Sequence, residues 1–151
     1  MAAPGQTDCV ICRQHRGEEP TPGGEILADD LVVAVHAYHP EQNPTPYLGH
    51  VLVEPKRHVG GVAELDDAEA AAIGVAVSRC ARAITSSEGA EHVYVAVLGH
   101  HVPHLHVHLV PRYPGTPREY WNPLTIDEWP GARHGGPDDV ATVTGRIRRA
   151  L

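Results

Sequence analysis

The chain has 151 residues, a formal charge of −7, 21% charged residues and 42% hydrophobic ones, which fits one globular domain long enough to bury a core. The acidic balance excludes a nucleic-acid surface, which needs a basic stripe, and no apolar run reaches the roughly 18–20 residues of a membrane span. Residues 1–6 have neither the basic start nor the apolar stretch of a signal peptide, and three cysteines suit a reducing cytoplasm better than a disulfide framework.

In chain order, residues 1–8 read as disordered. Cys9-Val10-Ile11-Cys12 is a C-x-x-C, which serves as a redox pair, as two incidental thiols, or as half of a zinc knuckle that needs two further ligands. Arg13–Gly24 is rich in Glu, Pro and Gly and reads as a loop. Residues 25–28 and 31–36 are apolar runs joined by Asp29-Asp30, the chemistry of a hairpin turn. Residues 39–46 carry three prolines and cannot be a central strand; they form either a rim of a site or a plain connector. Residues 49–54 form a third strand, with His50, Leu52 and Glu54 on one face and Val51 and Val53 on the other. Pro55 ends it, and Lys56-Arg57-His58 follows.

The main helix spans Leu65 to Ile84. Asp66 and Glu69 have the spacing of a capping box, and Ile73, Val77, Cys80 and Ile84 form one apolar stripe, with Cys80 as a small core residue. Gly74 weakens the helix, which suggests close packing on a sheet. Residues 86–89 read as the exit loop and residues 92–98 as the fourth strand. Gly99–Pro103 turns the chain into a fifth strand over 104–110. From Tyr113 to Gly136 the chain shows little periodicity and reads as an arm packed on the domain, or on a partner, through Trp121 and Trp129, or as a ligand lid. Asp138-Asp139 caps a short helix with Val140, Val143, Ile147 and Leu151 on one side and a basic C-terminal end.

The fifth strand carries the chemistry. His104, His106 and His108 alternate with Leu105, Val107 and Leu109, so the imidazoles share one face at intervals of about 6.6 Å while the aliphatic face goes to the core. His100 and His101 come just before. Five buried imidazoles without partners would cost too much, so the face belongs to a site: a metal centre or a phosphate site with a histidine nucleophile.

His104-Leu105-His106-Val107-His108-Leu109-Val110 resembles the signature of the histidine triad (HIT) family, His-φ-His-φ-His-φ-φ with φ hydrophobic. Gly49 to His58 is similar to a second family segment. The resemblance covers about residues 8–112. It implies an α+β, HIT-like fold: an antiparallel sheet of about five strands with one main helix across it, here followed by the C-terminal arm and short helix. The expected organisation is a disordered 1–8, a HIT domain over 9–112, and a C-terminal arm and helix over 113–151 packed on the domain.

The resemblance also implies a nucleotide hydrolase or nucleotidyltransferase. It attacks the α-phosphorus of a phosphoramidate or dinucleoside polyphosphate and forms a covalent nucleotidyl-histidine. His106 is then the nucleophile, with His50, His108 and His104 completing the catalytic set. His50, His108, His100 and His101 are the expected phosphate and substrate contacts. Imidazole chemistry agrees, since its ordinary pKa near 6.5 leaves it largely neutral and nucleophilic at pH 7. The resemblance further implies a structural zinc on Cys9, Cys12, His58 and His104, and a cytoplasmic homodimer with a small nucleotide substrate and no nucleic-acid or membrane partner. The chain departs from the pattern where many relatives hold ribose with an acid, since His36-Ala37-Tyr38-His39 contains none. Two alternatives follow: a nucleotide sensor or interaction protein with little catalysis, and a metalloenzyme with one metal on the triad.

Overall fold

The structure is a computed structural model that describes residues 8–151. The N-terminal expectation therefore falls mostly outside the described residues. Five antiparallel strands form one sheet in the order β1-β2-β3-β5-β4: β1 (Leu27–Ala28), β2 (Val32–His36), β3 (Val51–Pro55), β4 (His92–Ala96) and β5 (Val107–Arg112). Helices α1 (Val10–His15), α2 (Asp67–Glu88) and α3 (Pro137–Arg149) accompany it.

The first hairpin forms as its turn chemistry dictates. The Asp29 carboxylate accepts the backbone N–H groups of Leu31 and Val32, both at 2.8 Å. Pairing of Leu27 with Ala34 sets the register. Helix α2 starts on the expected capping box, with the Asp66 side chain accepting from Glu69 N and the Glu69 carboxylate accepting from Asp66 N. It outlasts the expected end by one turn and stops at Gly89, whose φ of 74° is the left-handed cap conformation that glycine adopts without penalty. Ile73, Cys80 and Ile84 are buried against Val51, Val53, Val107 and Leu109 from the sheet. The period-two and period-3.6 patterns thus meet in one core.

Other expectations give way. Residues 10–15, read as part of a short motif and a loop, form α1, a helix of under two turns that carries too little periodicity to read; Cys9 caps it, its Sγ accepting from Cys12 N at 3.5 Å. Gly74 packs against nothing, since a Cβ there would meet open space. Strand β5 starts at Val107, later than read, and runs through Pro111. Proline is tolerated there because β3 pairs with β5 only over residues 107–109 and the Pro111 carbonyl accepts from the Tyr47 hydroxyl. The arm's most deeply buried residue is Ile126, 1% exposed, while Trp121 lies under the Arg112 guanidinium of β5, 3.8 Å from its ring centre. In α3, Val140, Val143 and Ile147 are buried as read, but Leu151 is 41% exposed. Arg146 clamps Glu88 of α2 with two hydrogen bonds, and Arg148 binds the carbonyls of Gly23 and Glu25.

With α2 on one face, the other face of β3 and β5 is left to His50, Leu52, Glu54, His106 and His108, which line one cavity. Helix α1 and the 37–43 loop wall it from the side.

Candidate metal centre and active site

The triad histidines divide between two sites. His104 is fully buried and leaves the other two for the knuckle. Its Nε2 lies 2.8 Å from the Pro55 carbonyl. A carbonyl only accepts, so Nε2 carries the proton and Nδ1 keeps its lone pair. That lone pair points at two sulfurs, with Nδ1 3.5 Å from Cys9 Sγ and 3.4 Å from Cys12 Sγ. His58 Nδ1 lies 3.3 Å from Cys12 Sγ. The four ligand atoms all fall within 4.8 Å of one another. A tetrahedron with Zn–S near 2.3 Å and Zn–N near 2.0 Å has S···N edges of about 3.5 Å, so the donor set and its spacing fit zinc. Among the described residues this is the one cluster of His, Cys and carboxylates gathered tightly enough to hold a metal ion. Burial, and then the neighbouring Cys9, push the Cys12 thiol up to about 11. A bound cation would have to draw the thiolates out against that burial.

The backbone of His104 serves the second site. Its carbonyl lies 2.7 Å from His106 Nδ1. Nδ1 therefore carries the ring proton, and Nε2 is left as the free nucleophilic nitrogen. The His106 and His108 rings lie 4.8 Å apart, and His50 Nε2 sits 3.0 Å from His108 Nδ1. Burial lowers His50 to about 3 and His108 to about 4, and neighbouring imidazoles add to both shifts. The pair is therefore neutral at pH 7 and shares a single proton across that contact. The site is a cavity of about 330 Å³, in the size range of small-molecule pockets.

His101 lines this cavity and is exposed. His100 is also exposed, with its ring 6.3 Å from that of His101, and lies off the cavity wall. Three residues matter more than the sequence alone conveyed. His36 is buried, donating from Nδ1 to the Ala37 carbonyl and accepting at Nε2 from Gly49 N, which ties β2 to the residue before His50. Glu54 is fully buried, with Oε2 2.8 Å from His15 Nε2; burial raises its pKa and His15 opposes the rise. The period-two pattern already put Glu54 on the His50 face, whereas His15 lay in a stretch without periodicity.

Residues 20–115 match the family model described as the HIT domain. The chain belongs to the HIT family. This HIT protein is 30% identical over 112 residues to "Adenylylsulfatase HINT3" of Arabidopsis thaliana, a match covering 71% of this chain and 53% of that protein. The chain thus spans about half the length of that relative. It is also 30% identical over 113 residues to an uncharacterized HIT-like protein of Borreliella burgdorferi, covering 70% of this chain and 76% of that one. Among solved structures, it shares its fold with a zinc-bound histidine triad family protein of Mycobacterium smegmatis, with a TM-score of 0.70, 22% identity and 96% coverage of both chains. The HIT fold expected from the triad is the fold observed.

Proposed function

We propose that this HIT protein cleaves a nucleotide at its α-phosphorus through a nucleotidyl intermediate on His106, passing the nucleotidyl group to water or to another acceptor. The observation that carries the reading is the 2.7 Å contact between His106 Nδ1 and the His104 carbonyl, which leaves Nε2 unprotonated on a residue that lines the cavity. Family membership supports nucleotide processing, as does similarity to a relative named adenylylsulfatase. In the first step Nε2 attacks phosphorus, the N–P bond forms, and the bond to the leaving group breaks, the leaving group taking a proton from solvent as it departs. In the second step water attacks phosphorus and gives up a proton to solvent, the N–P bond breaks, and His106 is restored. The neutral His50–His108 pair spends one ring N–H on its mutual contact and, with His101, donates the remaining one to the phosphoryl oxygens as charge builds there. His100 stands further out, as a contact for the far end of the substrate.

Zinc is the cation we assign to Cys9, Cys12, His58 and His104. When bound it supplies structural cross-linking. His104 is then a positioning residue, because the same residue that would hold the metal through Nδ1 orients His106 through its carbonyl. We further propose a cytoplasmic homodimer, supported by free thiols and by the edge strand β4, where Val95 is 53% exposed and the following Val97 44%.

A sensor with little turnover is the second reading. It is favoured by the stretch His36-Ala37-Tyr38-His39, which contains no acid although the family resemblance implies one for the ribose, and of which Ala37, Tyr38 and His39 line the cavity. Hydrolysis of adenosine 5′-phosphoramidate separates the two: His106→Ala should lower kcat/KM by roughly three orders of magnitude or more. Tight nucleotide binding without turnover in the wild type would select the sensor.

A further inference from the structure

One buried oxygen beside the cavity has no donor. Of the buried side-chain polar atoms without a hydrogen-bond partner among the described residues, only Glu54 Oε1 belongs to a residue that lines the cavity holding His106. Glu54 is fully buried. Its other oxygen, Oε2, lies 2.8 Å from His15 Nε2. That contact needs one proton, and whether the proton sits on Nε2 or on Oε2, Oε1 keeps only lone pairs. A buried acceptor without a donor is costly, and folded proteins rarely leave one so. The cavity's other carboxylate is already met, since Glu19 accepts from Arg13 Nε at 2.9 Å.

The sheet register ties this oxygen to the proposed chemistry. Leu52 pairs with His108 and Val53 with Val107, and the next step of that ladder sets Glu54 beside His106 on the same face. From there the carboxylate runs to α1, where His15 holds Oε2. The cavity is apolar at that end: Leu52 comes from β3, and Val10, Ile11 and Val102 come from the small apolar cluster around α1. A nucleotide whose phosphorus lies at His106 has one flat, largely apolar part to take out of water, which is its base; the sugar and phosphates are better solvated. Of the donors on a base, the exocyclic amino group projects furthest from the ring edge, within reach of a single oxygen set in a wall.

Resting on the nucleotidyl-transfer reading, we infer that Glu54 is a specificity residue whose Oε1 accepts a hydrogen bond from the exocyclic amino group of the base. His15 is the positioning residue that fixes the carboxylate through Oε2. A base without that amino group leaves the oxygen buried and unmet, so it loses more than one favourable contact.

Calorimetric binding of nucleoside 5′-monophosphates tests this without requiring turnover. Three pairs differ in the amino group alone: adenosine and purine riboside, guanosine and inosine, cytidine and pyrimidin-2-one riboside. On wild type, the amino member of at least one pair should bind roughly ten- to a hundred-fold more tightly. The double variant His15→Leu with Glu54→Leu removes both partners, so that neither is left buried alone, and should bring that ratio to about one. Glu54→Gln keeps the shape and should also lower the ratio, because an amide presents either a neutral oxygen or an N–H. Equal affinities within all three pairs on wild type overturn the inference without any variant, and so does a wild-type preference unchanged in either variant. The monophosphates of 2′-deoxyadenosine and 3′-deoxyadenosine are measured beside them; a Glu54-dependent loss confined to these would reassign Oε1 to the sugar and overturn the base assignment. Failure of every nucleotide to bind, with no turnover of adenosine 5′-phosphoramidate, would overturn the nucleotidyl-transfer reading and the inference together.

Discussion

At the scale of residues, His104 has three contacts and each has its own consequence. Nε2–H is spent on the Pro55 carbonyl, Nδ1 faces the cysteine pair, and the backbone carbonyl holds His106. The knuckle and the proposed nucleophile are therefore linked through one residue. Cys12→Ser should reduce metal content from about one zinc per chain to near none, as read by elemental analysis, and lower the melting temperature. His108→Ala should keep its zinc, because His108 lies in the other site. Zinc retained in Cys12→Ser, or lost in His108→Ala, would contradict this division. The triad motif made all three histidines legible, but alternation alone put them on one face of one site. It could not show that His104 turns to the knuckle, because that depends on partners in α1 and after β3, far away in sequence.

At the scale of elements, α2 is held at its start by one side chain with two jobs. Glu69 closes the capping box and receives two 2.7 Å hydrogen bonds from Arg57, which follows β3 by two residues. The Arg57 guanidinium, and then the Asp66 backbone N–H, hold its carboxyl down at about 2, below the ordinary value near 4.3. A carboxyl whose folded value is depressed stabilises the fold above the unfolded pKa, and that stabilisation is lost as the pH falls through the folded one. The stability difference between wild type and Glu69→Gln should therefore be full above about pH 4.5 and shrink as the pH falls toward 2. Thermal melts across that range check it, and a difference independent of pH would contradict it.

The capping box was readable because its two residues are three apart in sequence; the Arg57 clamp was not, because it spans twelve. The same distinction explains the strands and the arm. Alternation located β3 and β5, and Asp29 located the first turn. The arm's most buried residue is Ile126, one apolar residue among prolines and glycines, and nothing local marks it out beside Trp121, which meets Arg112 of β5.

At the scale of the molecule, the sheet ends on β4, whose outer edge is unpaired among the described residues and carries the exposed Val95. Proteins seldom leave such an edge bare, and a stable pairing buries roughly 1,200–2,000 Å². On the proposed homodimer, Val95→Lys should shift the protein from dimer to monomer in light scattering coupled to size exclusion. A monomeric wild type, or an unaffected dimer, would remove β4 from the interface.

The proposed chemistry depends on a covalent bond to one nitrogen. The most direct measurement is intact-protein mass after rapid, acid-free quenching of a reaction with adenosine 5′-phosphoramidate, comparing wild type with His106→Ala and mapping any adduct by peptide. A nucleotidyl adduct is expected on wild type alone, carried by the peptide containing His106. An adduct that persists in His106→Ala, or steady turnover with no adduct on any histidine, would contradict it.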